Sequence, residues 1–267
     1  MSSRPPEAPR DEGALTSLAS DFEEHGWVVV RGVVPPGELA DLRGLFNLVV
    51  PEIAYPRRED GILWEITGAA QRIPPLAAVA RDVRFAALAA GALGCGTVQL
   101  LQDSLLYKPP RDGGPVEWHQ DHTYVGYLAP PRVISLRVAL LPEDELSGCM
   151  RVVDGSHRWG SIGAVRALSE GQVDSLLPAL GPGQRAALAN ARLLTLEPGD
   201  VTIHHCLLLH GSGPNRSDRA RKTLILRMFD GDCRLDPTRL PAGAAAHFPT
   251  DESGRLATSA FPRLFGS

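Results

Sequence analysis

The sequence predicts a mainly β fold with flanking helices, arranged as a sandwich or barrel. Three observations predict it. The chain of 267 residues holds 27 glycines and 23 prolines, above the usual share, so turns are frequent. Helical patterns crowd the first third, and short apolar or β-branched runs fill the rest. The order is not βαβα, which argues against a doubly wound parallel sheet.

The elements can be justified in order. Residues 1–12 are polar and Pro-rich and read as a disordered tail, leaving 13–267 as a single domain with no internal repeat or clean linker. Leu15, Leu18 and Phe22 fall at helical spacing, and Gly26 ends that helix after His25. The β-branched run WVVVRGVV, 27–34, reads as a strand. Pro35 and Pro36 open a second helix, with Leu39, Leu42, Leu45 and Phe46 on one face. Residues 51–74 are irregular apart from a short strand over 62–66. The Ala-rich stretch 76–93 reads as one or two helices. Strands follow at 98–108, 133–141, 149–153, 192–196, 201–209 and 223–229, interrupted by a helical stretch over 161–188.

Charge and composition narrow the function. Lys and Arg number 27 against 31 Asp and Glu, a net charge of −4. Nucleic-acid affinity comes largely from cations on phosphate, so no nucleic-acid partner is expected. No apolar run approaches the ~18 residues of a membrane span, and the N-terminus lacks the apolar core of a secretory signal. The expected location is cytoplasmic, with no membrane partner. The oligomeric state is not legible. Cys95, Cys149, Cys206 and Cys233 form no C-x-x-C pair and read as small buried hydrophobes. Asn215 begins an N-x-S sequon, but no secretion signal makes it relevant.

Six of the eight histidines fall between residues 119 and 210. His119 and Asp121 are two apart, and on a strand such residues point to one face and can share an ion. Taken alone, the pair fits equally a strand-end histidine and an aspartate capping a turn. His210 ends the run VTIHHCLLLH, whose apolar character places it inside the fold, as metal ligand or core histidine. Arg216, Arg219, Arg221 and Lys222 form a basic cluster that suits a solvated loop. Arg221, however, begins the apolar strand TLILRMF and can point into a barrel. Two His and one Asp supply three ligands on one face of a metal and leave positions open, as in non-haem Fe(II) oxygenases. An Arg beside such a site suits a carboxylate cosubstrate through paired charge-assisted hydrogen bonds.

Five ordered pieces of sequence sharpen this. They are YKPP (107–110), WHQDHTY (118–124), SGCMRVVDGSHRWG (147–160), EPGD (197–200) and HGSGPNRSDRAR (210–221). Together they span most of residues 98–230 and resemble the phytanoyl-CoA dioxygenase family of Fe(II)- and 2-oxoglutarate-dependent oxygenases. The resemblance implies a double-stranded β-helix, a cupin-like jelly-roll barrel with flanking helices. It implies iron held by His119, Asp121 and His210. It implies Arg221 on the distal carboxylate of 2-oxoglutarate, Ser212 assisting, and Gln102 and Ser104 lining the cosubstrate pocket. Arg137 stands where relatives often carry Trp, and could reach the cosubstrate or an anionic part of the substrate. Asp154 replaces the usual Pro before Gly-Ser-His and is read as a turn variant.

The implied reaction consumes 2-oxoglutarate and O₂, releases succinate and CO₂, and oxidises a small molecule, expected to be a secondary metabolite. Asp121 occupies the position a halide takes in related halogenases, so hydroxylation or another oxidation is expected. Trp64, Tyr124, Arg137 and His204 are the expected substrate-wall residues. Two other functions compete. A His/Asp/His zinc hydrolase would not need an inward Arg221. A non-catalytic jelly-roll binding protein would not need all three ligands.

Overall fold

The computed structural model describes residues 12–49, 61, 63–163, 176–240 and 243–266. Helix α1 (Glu12–His25) starts three residues before the apolar period, so Glu12, read with the tail, is helical, and residues 1–11 lie outside the described residues. Gly26 ends it with a left-handed φ of 76°, and a Cβ there would fall 2.3 Å from His157 Nδ1. Strand β1 (Trp27–Val30) stops short of Val34, because Asp200 takes the Gly32 N–H at 2.9 Å and pairs with Arg31, turning the chain. Then come α2 (Pro36–Val49), β2 (Trp64–Thr67), α3 (Pro74–Ala80) and α4 (Val83–Leu93). The Ala-rich stretch divides at Asp82, whose carboxylate caps α4 by accepting the Arg84 N–H.

The rest is strand-rich. β3 (Val98–Lys108) has the expected bounds. It is followed by β4 (Val116–His119), α5 (His122–Val125), β5 (Leu128–Ala129), β6 (Val133–Ala139) and β7 (Met150–Val152). After α6 (Pro182–Leu188) come β8 (Arg192–Leu193), β9 (Val201–His205), β10 (His210–Ser212), β11 (Arg221–Asp230), β12 (Arg234–Leu235) and β13 (Arg263–Phe265). Of the helical stretch over 161–188, residues 164–175 lie outside the described residues; a 3-10 turn at Leu177–Ala179 and α6 account for its end.

The run 201–209 is not one strand. It breaks after His205, and Leu207, Leu208 and Leu209 each enter a different apolar cluster. The chain then resumes as β10 in a second sheet. Sequence periodicity missed β10 and β4, which are three and four residues long.

Two antiparallel sheets face each other. The larger runs β1-β9-β6-β11-β3, with β13 and β2 both pairing β3; the smaller runs β4-β10-β7-β8. The larger sheet has two unlike faces because its strands alternate. Leu105, Ile134, Leu136, Ile203, Leu224 and Leu226 lie on one face, in a core shared with Leu39, Phe46, Phe85 and Leu88 of the helices. The register puts Lys108 opposite Arg221, Gln102 opposite Arg227, and Ser135 between Arg227 and His204. These polar residues share the other face, toward the smaller sheet. Among the described residues no helix is long and apolar enough to cross a membrane.

Two loops around this interior are pinned by polar groups, one half-buried and one fully buried. Asp154 is more than a turn variant: it accepts the Trp27 indole N–H at 2.9 Å and lies 3.1 Å from His25 Nδ1, tying the first helix and strand to the 147–160 segment. Asn215, the sequon residue, is fully buried. Its amide donates to the carbonyls of Lys108, Pro109 and Arg219, and its oxygen accepts from Ser217 N and Oγ. Asn215→Ala strands these groups without water. It should lower unfolding free energy by about 2–3 kcal/mol in a urea titration, and a loss under about 0.5 kcal/mol would contradict the assigned network.

Candidate metal centre

His119 ends β4 and His210 begins β10, and the two face each other in register, with ring centroids 4.2 Å apart. Each ring is oriented from behind. His119 Nδ1 lies 2.8 Å from the Glu117 carbonyl and His210 Nδ1 2.9 Å from the Leu208 carbonyl. A carbonyl only accepts, so each Nδ1 carries the hydrogen and each Nε2 presents a lone pair.

Asp121 joins them differently from the one-strand reading. The strand ends at His119, and Asp121 is helical (φ −57°, ψ −26°), the residue before α5. Gln120 forces the turn. Its buried amide donates to Gly160 O and Leu207 O and accepts the Ile162 N–H, which pulls the chain out of the ladder. The turn brings Asp121 Oδ1 to 3.6 Å from His119 Nε2 and 3.8 Å from His210 Nε2. The three ligand atoms lie within 4.8 Å of one another, and all three residues are buried.

The second carboxylate oxygen is held from the larger sheet. Ser135 Oγ donates to Asp121 Oδ2 at 2.5 Å, and His204 Nε2 lies 3.2 Å from the same atom. Arg227 Nη2 sits 3.5 Å from Oδ1, and its Nη1 lies 3.6 Å from Glu65. Burial raises the Asp121 carboxyl, but Arg227, His119 and His204 outweigh it and hold the group well below the usual carboxylate range. Burial pushes the His210 imidazole well down, with His119 and His204 adding to the effect. An ionised carboxylate beside a neutral imidazole is the state that ligates a cation.

A second polar cluster lies along the same sheet face. Arg221 is buried, with Nε 2.9 Å from Glu143 Oε2 but too poorly aligned for a hydrogen bond, so the attraction is ionic. Its Nη1 donates to the Gly148 carbonyl. Arg137 Nη2 lies 3.7 Å from the same Glu143 oxygen, and Thr223 Oγ1 donates to the other at 2.7 Å. Burial raises the Glu143 carboxyl, but Arg221 and Arg137 together bring it below its ordinary value. Burial, then Arg221, push Arg137 down to about 10 against the pull of Glu143. Ser212, two residues beyond His210, accepts from Lys108 Nζ at 2.7 Å. Arg216 and Arg219 are exposed, Arg219 pairing with Asp144, as a loop reading expects.

The remaining sequence candidates divide. Gln102 and Ser104 lie on the polar inner face, 3.2 Å apart. His204 is a correction: it is buried behind Asp121 and braces a ligand rather than walling a substrate. Arg137 pairs with Glu143 and touches Met150 Sδ at the Arg221 end, which suits the cosubstrate alternative of the two the sequence offered. Trp64 falls on the helix side, opposite Tyr107 with ring centroids 5.1 Å apart, because Glu65 and Thr67 take the inner face. Tyr124, half-buried on α5, packs against the C-terminal apolar cluster. Sequence reasoning missed Lys108, Ser135, Glu143 and Arg227. Even spacing could have found three of them: Lys108 from Ser104, Ser135 from Arg137, and Arg227 from Arg221. Glu143 lies outside any strand and left no such signal.

A profile of the phytanoyl-CoA dioxygenase (PhyH) family matches residues 22–223. The chain belongs to that family. Phytanoyl-CoA dioxygenase 1 of Oryza sativa subsp. japonica is 30% identical over 131 residues, 49% of this chain and 44% of that one. The match thus takes in under half of that relative's length. The peroxisomal phytanoyl-CoA dioxygenase of Homo sapiens is 24% identical over 243 residues, 84% of this chain and 71% of that one. The epimerase SnoN in complex with Fe3+, alpha ketoglutarate and nogalamycin RO superposes with a TM-score of 0.77 at 24% identity, covering 95% of this chain and 100% of that one. At that identity the likeness establishes the fold. The two facing sheets are the double-stranded β-helix the family resemblance implied.

Ser135 generates a prediction. Without its hydroxyl, Asp121 Oδ2 keeps only His204, and the carboxylate is freer to rotate. Ser135→Ala should weaken Fe(II) binding about 10- to 100-fold in anaerobic titrations while the fold melts normally. An unchanged affinity would show that the hydroxyl does not hold the ligand.

Proposed function

We propose that the chain, acting as one unit over residues 13–267, is an Fe(II)- and 2-oxoglutarate-dependent oxygenase that oxidises a small molecule of secondary metabolism. The observation that carries this is the pairing of two sites on one polar interior. Two Nε2 lone pairs and one carboxylate oxygen converge, and a buried arginine cluster lies beside them. The donor set fits a ferrous ion with positions left open. A hydrolytic zinc site would have no use for the Arg221 cluster. SnoN, crystallised with Fe3+, alpha ketoglutarate and nogalamycin RO, supports the choice of cofactor, cosubstrate and substrate class.

The chain's own residues then have defined tasks. His119 and His210 bind iron through Nε2 and Asp121 through Oδ1. Ser135 and His204 orient the carboxylate. Arg221 binds the distal carboxylate of 2-oxoglutarate, with Ser212 assisting, and Glu143 holds Arg221 and Arg137 in place. Gln102 and Ser104 line the same face. Bound iron supplies the activation of O₂ coupled to loss of CO₂ from the cosubstrate. Asp121 occupies a position a halide would need, so oxygenation without halogenation is the outcome. We put the substrate beside the Arg227–Glu65 pair, because Arg227 reaches Asp121 while Glu65 is exposed.

The deciding experiment is turnover of 2-oxoglutarate against a metabolite library, read by succinate release. His119→Ala and His210→Ala should each abolish iron binding and succinate formation with the fold intact, and wild-type turnover in either variant would remove the triad assignment. Arg221→Ala should weaken 2-oxoglutarate by about 10²–10³ and spare iron, since stranding one partner of a buried pair costs about 3–5 kcal/mol. Arg216→Ala and Arg219→Ala should change little, and equal losses in all three would defeat the role given to Arg221.

A further inference from the structure

Lys108 is the buried titratable group that the tasks above leave unused. It ends β3 an even number of residues from Gln102 and Ser104, so it shares their inward face, and it is 0% exposed. Its Nζ donates to Ser212 Oγ at 2.7 Å and to the Gly213 carbonyl at 2.7 Å, both uncharged. The charged and titratable groups facing it are Arg221 of β11, Arg137 of β6, Glu143 between β6 and β7, and the Cys149 thiol just before β7. Glu143 is already engaged by Arg221, Arg137 and Thr223. Lys108, Arg137 and Arg221 thus share one carboxylate among the described residues, in a place that excludes water. Buried basic groups in such surplus favour the entry of a negative charge.

The hydrogen bond to Ser212 has a direction. Once a bound carboxylate has brought a proton to Lys108, the ammonium has three donors and no acceptor, so Ser212 Oγ accepts from it and keeps its own hydrogen to donate. Ser212 lies two residues beyond His210, and Arg221 opposes Lys108 across the β3–β11 ladder. A carboxylate between Arg221 and Ser212 would receive the guanidinium from one side and the hydroxyl hydrogen from the other.

We infer that Lys108 is a positioning residue for the distal carboxylate of the 2-oxo acid, turning the Ser212 hydroxyl toward it and adding a second positive charge beside Arg221. This rests on the reading that the Arg221 pocket takes 2-oxoglutarate. Burial, with Arg221 and Arg137, holds Lys108 well below the usual lysine range. An arriving carboxylate reverses that pressure, so binding takes up a proton and weakens as pH rises.

The test measures equilibrium dialysis of labelled 2-oxoglutarate and 2-oxobutyrate, which lacks the distal carboxylate, against anaerobic Fe(II)-loaded protein. Lys108→Met should weaken 2-oxoglutarate about 10- to 100-fold and leave 2-oxobutyrate within about twofold. Ser212→Ala should show the same selectivity, and the double variant should be little worse than the weaker single one, because the two residues act in series. In the wild-type protein, the preference for 2-oxoglutarate over 2-oxobutyrate should fall as pH rises, and Lys108→Met should flatten that dependence. The pH measurement needs no variant, so it decides even if Lys108→Met does not fold. A pH-independent preference, equal affinity in wild type and Lys108→Met, or equal weakening of both acids overturns the role of Lys108. A wild-type protein that binds neither acid overturns the reading beneath it.

Discussion

The interior depends on one register, His119 opposite His210 across the β4–β10 ladder. Only in that register do two imidazoles, each fixed by a backbone carbonyl behind it, turn their Nε2 atoms to one point. A slip of one residue in either strand would send its ring to the other face of the small sheet and part the pair. The residues that hold Asp121 come from the opposite sheet, so the carboxylate is a cross-sheet contact as well as a ligand.

Placing so many polar groups inside a barrel is costly unless each has a partner. The protein meets this by dividing the sheet faces. One face of the large sheet packs apolar side chains on the helices, and the other carries arginines, lysine, serine and histidine. The polar face is organised around two carboxylates, Asp121 near the histidines and Glu143 near Arg221. Each is ionised because cations or imidazoles outweigh its burial. The positive excess lies at the Glu143 end, where an acidic cosubstrate is read to bind.

Much of this was legible in the sequence. β3 was legible to the residue, because a long run free of glycine and proline is bounded by Gly96 before it and by Pro109 and Pro110 after it. The triad, Arg221 and Ser212 were legible through ordered motifs, each weak alone. The short strands β4 and β10 were not, since three or four residues show no period and exist because a neighbour pairs with them. The single strand expected over 201–209 failed for a related reason: three consecutive leucines look uniform in sequence, yet the fold sends them into three clusters.

By itself the sequence determined which chemical groups are available and roughly where they lie along the chain: two histidines and an aspartate, a basic cluster with one inward candidate, and a helical entry before many short strands. Local spacing and residue type carry that information. The tertiary structure alone decided what each buried polar group faces. It put Asp121 on a turn made by Gln120, His204 behind the carboxylate, Trp64 on the helix side, and Arg137 and Lys108 with Arg221. Those assignments depend on cross-strand register and on the contact between two sheets, and partners separated by a hundred residues, such as Lys108 and Ser212, meet only when both sheets have closed.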